Sequence, residues 1–100
     1  MIALDTIILV YAHRPDLPTR ERAFTVVADA LGGKAQVGLC WPVIQEFLAV
    51  VSNARIFAEA TPADRAFDQV DHWLSSPRAM TLHESPTHLL TLRALVVGGR

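Results

Sequence analysis

Met1-Ile2-Ala3-Leu4-Asp5-Thr6-Ile7-Ile8-Leu9-Val10-Tyr11-Ala12 opens the chain, and its reading decides the fold. Ile2 to Leu4 is short and wholly apolar, as strands of buried parallel sheets are. Thr6 to Ala12 is ambiguous. Ile7, Ile8, Leu9, Val10 and Tyr11 favour β-structure, yet a helix with Asp5 as its N-cap is equally sensible. A strand running on to Ala12 would bury the Asp5 carboxylate in mid-sheet, so the helix is favoured. Asp5 then stands at the carboxyl end of a strand, facing the crevice where open α/β sheets bind ligands.

A second acid has a related setting. Lys34 to Cys40 reads as a strand, and Trp41-Pro42-Val43-Ile44-Gln45-Glu46-Phe47-Leu48 follows it. Pro42 suits the first position of a helix running to about Ser52, which places Glu46 on its early turns. Two carboxylates reaching one crevice from separate parts of the chain suggest a divalent cation and a phosphate-bearing substrate. Each has a plainer reading. Asp5 can simply cap its helix through the amide of Ile7 or Ile8. Glu46 can be a solvated acid near a helix's positive end, although no Ser or Thr three residues earlier completes a capping box.

The remaining elements follow from spacing and punctuation. Arg14-Pro15-Asp16-Leu17-Pro18 is a loop. Thr19 to Leu31 is a helix with Phe24, Val27, Ala28 and Leu31 on one face, ended by Gly32-Gly33. Thr61 caps a further helix that has Pro62 in its first turn, and Phe67, Val70, Asp71 and Leu74 form its inner face. Ala79 to His83 is a third strand, and Ser85-Pro86 begins a last helix reaching Gly98-Gly99. Strands alternating with helices imply a parallel sheet with right-handed crossovers.

One hundred residues make a single domain, and 51% apolar residues suffice for a core. Nine basic residues against ten acidic ones leave no basic stripe to advertise nucleic-acid binding, but a metal can bridge phosphate to an acidic site. The lone Cys40 excludes an internal disulfide and any Cys-rich zinc site, and lies in an apolar run as a small core residue. His13, His72, His83 and His88 do not form a ligand set; His13 follows the first helix and reads as a surface residue, with a place bordering the cleft as the alternative. Trp41 and Trp73 read as core or interface aromatics. With no signal peptide and no span of membrane length, the expected compartment is the cytoplasm, away from any membrane.

Leu4-Asp5-Thr6 with Ile8-Leu9-Val10-Tyr11-Ala12, and then Pro42-Val43-Ile44-Gln45-Glu46-Phe47, resemble the PIN domain, and more narrowly the VapC toxins of VapBC toxin–antitoxin systems. The likeness covers essentially the whole chain. It implies an α/β fold with a PIN-like parallel sheet flanked by helices. It also implies a metal-dependent endoribonuclease that cleaves RNA with Mg²⁺ or Mn²⁺. By position, Asp5 and Glu46 match the first two metal-binding, catalytic acids of the family, and Thr6 matches the supporting residue after the first. The family also implies a VapB-like antitoxin partner and a homodimer.

Two departures qualify the match. Ile7 stands where the family normally has Asn or Ser. The chain ends at Gly98-Gly99-Arg100, ahead of the family's further acids, so residues 1–100 are expected to form a truncated PIN-like domain lacking the last helix and strand. Asp64, Asp68 and Asp71 belong to an outer helix, which leaves Glu84 as the nearest replacement. The expectation is therefore a VapC-like ribonuclease of weak or lost activity. The alternative is a non-catalytic remnant that binds an antitoxin or a full toxin through the apolar surface of the helix from Thr87 to Val97.

Overall fold

The computed structural model describes residues 1–82. In chain order these form β1 (Ile2–Ala3), α1 (Thr6–His13), α2 (Arg20–Gly32), β2 (Val37–Cys40), α3 (Trp41–Val51), α4 (Ala63–Leu74) and β3 (Ala79–Leu82). The strands make one parallel sheet in the order β1-β2-β3. Ile2 pairs with Val37 and Ala3 with Gly38, and Val37 to Cys40 pair in step with Ala79 to Leu82. This is the α/β architecture expected from the sequence. The last helix and Glu84 lie outside the described residues. No helix among those described is long and apolar enough to cross a membrane.

The central strand explains the core. Val37 and Leu39, at 0% and 1% exposure, send their side chains to the same side of the sheet. Leu4, Leu9, Val10 and Ala12 join them from the first segment, Ile44, Phe47 and Val51 from α3, and Val70 and Trp73 from α4. Phe47 is fully buried, with ring contacts on two sides: His13 at 5.4 Å and Trp73 at 5.0 Å between centroids, both edge-on. On the other side of β2, Gly38 is closely covered. An added Cβ there would stand 2.7 Å from Leu82 Cδ1 and 3.0 Å from Met1 Sδ.

Two helices bury a neighbouring stripe rather than the expected one. In α2 the buried residues are Ala23 and Val27, while Phe24 is 50% exposed beneath the Arg20 guanidinium. Small Ala23 lets α2 approach α1 closely, which a phenyl ring at that point would prevent. In α4 the buried residues are Ala66, Val70 and Trp73, with Phe67 and Asp71 outside. The larger indole takes the place against Phe47. Thr61 is not the cap of α4 either. Pro62 occupies that position without a side-chain cap, and the Thr61 hydroxyl is engaged by His13 and Arg14. Cys40 is half-buried rather than a core residue.

The segment read as a plain loop after α1 holds a buried cation. Arg14 is only 6% exposed. Its guanidinium donates to both Asp16 carboxylate oxygens at 2.9 and 2.7 Å, to the Glu59 carbonyl at 2.7 Å and to Thr61 Oγ1 at 3.3 Å. It also lies 4.1 Å above the Phe57 ring. A guanidinium can be buried when its donors are met in this way. The pair joins the end of α1 to the connection between α3 and α4.

Phe47→Ala should lower unfolding free energy by about 3–5 kcal/mol in a denaturant titration, because the cavity opens between three elements. Asp16 supplies a pH-dependent component. The hydrogen bonds from Arg14 hold its carboxyl below the ordinary aspartate range. A depressed carboxylate lends stability that is present above its unfolded value of about 3.9 and disappears as the pH falls through the lowered one. Asp16→Asn should therefore flatten the fall in melting temperature below about pH 4.

Candidate active site

β1 and β2 are parallel neighbours, so whatever follows each strand leaves the sheet at the same edge. Leu4 is buried and anchors the exit of β1. Asp5 comes next, with extended backbone angles, and caps α1 as expected: its Oδ1 accepts from the Ile8 amide at 3.0 Å. Asp5 is exposed, and among the described residues its second oxygen makes no hydrogen bond. Trp41 follows the last residue of β2 directly and opens α3, with Pro42 in the first turn. Five residues beyond Trp41, about 7.5 Å along the helix axis, lies Glu46. Ile44 and Phe47 turn into the core on either side of it, while Gln45 and Glu46 stay exposed. Because α1 packs on α3, the helix headed by Asp5 lies against the helix that carries Glu46.

The fold thus delivers Asp5 and Glu46 from one sheet edge on two packed helices. Thr6 is the half-buried first residue of α1, and Ile7 is 62% exposed where the family has a polar side chain. Among the described residues no group of three His, Cys, Asp or Glu side chains is arranged to hold a metal ion. Asp64, Asp68 and Asp71 remain exposed on α4 and do not join the pair.

The donor chemistry fits a hard cation. The exposed carboxylates are oxygen ligands, and magnesium is commonly held by one or two of these, with water and substrate phosphates completing its shell. The amino ends of α1 and α3 lie at this edge as well, where their dipoles favour anions. The edge therefore sets the exposed Asp5 carboxylate beside helix ends whose field suits an anion.

Sequence reasoning missed His13 as a structural residue. It is half-buried, not a surface residue, with Nδ1 2.9 Å from Gln69 Oε1 and Nε2 3.0 Å from Thr61 Oγ1. Its partners lie 56 and 48 residues away along the chain, so no local spacing could have pointed to them.

No family model matches the chain. Individual relatives do. Ribonuclease VapC33 of Mycobacterium tuberculosis is 34% identical over 89 residues, covering 89% of this chain and 62% of the relative. VapC ribonuclease Mb2897 of Mycobacterium bovis is 37% identical over 97 residues, covering 95% and 65%. Ribonuclease VapC31 of M. tuberculosis is 31% identical over 98 residues, covering 95% and 67%. The chain thus spans a little under two thirds of the length of the first two. With the parallel sheet and flanking helices expected of a PIN-like domain, and with relatives of this identity along nearly all its length, the chain belongs to the VapC ribonuclease family.

Proposed function

We propose that this chain carries part of the active site of a metal-dependent endoribonuclease, the toxin of a toxin–antitoxin pair, with Asp5 and Glu46 holding Mg²⁺ or Mn²⁺. The observation that carries this reading is the delivery of both acids from the same edge of parallel β1 and β2 onto packed helices. The names of the relatives supply the substrate class, RNA, and imply a VapB-like antitoxin as partner. The family resemblance adds a homodimer.

In this reading the Ile8 amide fixes one Asp5 oxygen and leaves the other for the cation. Glu46 offers its oxygens from the second helix, and its exposure leaves room for substrate and water. The bound cation would make a water more acidic and stabilise charge on the phosphodiester. Both carboxylates can orient that water by accepting its hydrogens, and the amino ends of α1 and α3 favour the approaching phosphate. Thr6 is proposed as a support beside the first acid. Two carboxylates hold a cation less firmly than a larger set would, and in-line attack is sensitive to small misplacements. We therefore expect slow cleavage. The alternative, a module that binds an antitoxin or toxin without cutting RNA, is favoured by the lack of a third acid among the described residues.

Cleavage of a fluorescent RNA hairpin separates these readings. Slow, Mg²⁺- or Mn²⁺-dependent cleavage is expected, falling at least about a hundredfold in Asp5→Asn and Glu46→Gln if either acid positions the reacting groups. Equal cleavage in wild type and both variants would remove these residues from the site. Asp5→Asn keeps an oxygen for the Ile8 amide and should preserve the melting temperature, whereas Asp5→Ala should lose about 1 kcal/mol of stability with the cap. A cleavage defect in Asp5→Asn without a stability defect thus separates ligation from capping. Removing the metal with EDTA should stop cleavage and leave the melting temperature within a few degrees of its starting value.

A further inference from the structure

We propose that His13 is a positioning residue that sets the placement of Asp5 relative to Glu46. The proposal rests on the metal-site reading of those two acids. His13 is the last residue of α1, at the opposite end from Asp5, and α1 has eight residues, about 12 Å of helix. The buried face of α1 consists of Leu9, Val10 and Ala12. Apolar packing of that kind is non-directional, so it does not by itself single out one angle of the helix about its own axis.

His13 adds a directional restraint that bears on α4 and on Phe47 together. One ring nitrogen meets Gln69 Oε1 on α4 at 2.9 Å, and the other meets Thr61 Oγ1 in the preceding loop at 3.0 Å. With the Gln69 carbonyl facing Nδ1, a neutral ring donates there and accepts from the Thr61 hydroxyl at Nε2. Thr61 also accepts from Arg14 at 3.3 Å, which ties the next residue into the same cluster. The imidazole stands edge-on to Phe47, 5.4 Å between centroids at 81°. Phe47 is the direct chain neighbour of Glu46, and its other side meets Trp73 of α4. One side chain at the foot of the first acid's helix is therefore hydrogen-bonded to α4 and its loop and packed on the residue beside the second acid.

The lever arm is short enough to matter. A carboxylate about 5 Å from a helix axis moves close to 1 Å for a turn of about 10°. A displacement of about 1 Å can cost about a hundredfold in rate. His13 touches neither the cation nor the substrate in this proposal; it acts through the angle of α1 and the seat of Phe47.

The test compares wild type with His13→Phe, His13→Asn and Thr61→Val in the full chain. Phe keeps a ring against Phe47 and loses both hydrogen bonds. Asn restores a polar group near the Nδ1 position, facing Gln69. Thr61→Val removes a partner without touching the ring. Mn²⁺ binding by calorimetry is the first readout, at a temperature where circular dichroism reports each variant folded. Hairpin-RNA kinetics is the second. His13→Phe should bind Mn²⁺ about 3- to 10-fold more weakly and lose at least about tenfold in kcat with KM little changed, as a misplaced acid would give. Thr61→Val should move the same way by less, and His13→Asn should recover part of the loss. Wild-type Mn²⁺ affinity and kcat in folded His13→Phe would overturn the proposal. So would losses that only track the unfolded fraction as temperature rises. If the wild-type chain itself shows no Asp5-dependent Mn²⁺ binding, the metal-site reading fails and this proposal falls with it; normal Asp5-dependent binding with an indifferent His13 sinks this proposal alone.

Discussion

Parallel pairing is the constraint on which the rest of this molecule depends. A parallel neighbour cannot be reached by a tight turn, so each connection must travel back over a face of the sheet. From β1 to β2 that return is α1 and α2; from β2 to β3 it is α3 and α4. The same geometry sends the chain out of every strand at one edge, and this is why Asp5 and the head of α3, the helix that carries Glu46, leave the sheet together although they are far apart in sequence. Val37 and Leu39, buried in the middle strand, give the returning helices a common floor.

The parts of this arrangement legible in the sequence are those governed by short-range chemistry. Asp5 before an apolar run predicts a capped helix, and the Ile8 amide answers it. Pro42 marks the start of α3 within a residue. The strand-end position of Asp5 and the early-helix position of Glu46 follow from the same local signals, with the family resemblance giving them a chemical meaning. What the sequence hides is decided by partners far along the chain. Ala66, Val70 and Trp73 compete with Phe67, Val70 and Leu74 as inner stripes of α4, and both hold helical spacing. The position of Phe47 selects the first, because Trp73 packs edge-on against it. Thr61 has the chemistry of a cap but is claimed by His13 and Arg14.

Arg14 shows the same point in electrostatic form. In the sequence it is simply the first residue of the loop Arg14-Pro15-Asp16-Leu17-Pro18. In the fold its carboxylate partner is two residues away, while the carbonyl of Glu59 and the ring of Phe57 come from the α3–α4 connection. A charge enclosed this way tolerates little rearrangement, since loss of a partner leaves donors unmet away from water. His13 beside it inherits a fixed frame, so the foot of α1 is held by polar contacts while its head is free to face solvent.

That contrast between the two ends of α1 has a consequence for β1. The strand has only two residues. The Ile2 amide at its start meets the Gln36 carbonyl at 2.8 Å, and the Leu4 amide just past its end reaches the Gly38 carbonyl at a long 3.4 Å. Among the described residues β1 is the short outer strand of the sheet, and a strand so sparsely bonded opens at less cost than the core. Each opening would carry Asp5 away from the sheet, so any ligand gripping that carboxylate must also suppress the fraying beneath it. Under the proposed cation site, occupancy and local order at the amino terminus are then a single equilibrium, and a cation held by Asp5 would be felt as tightening of the first four residues.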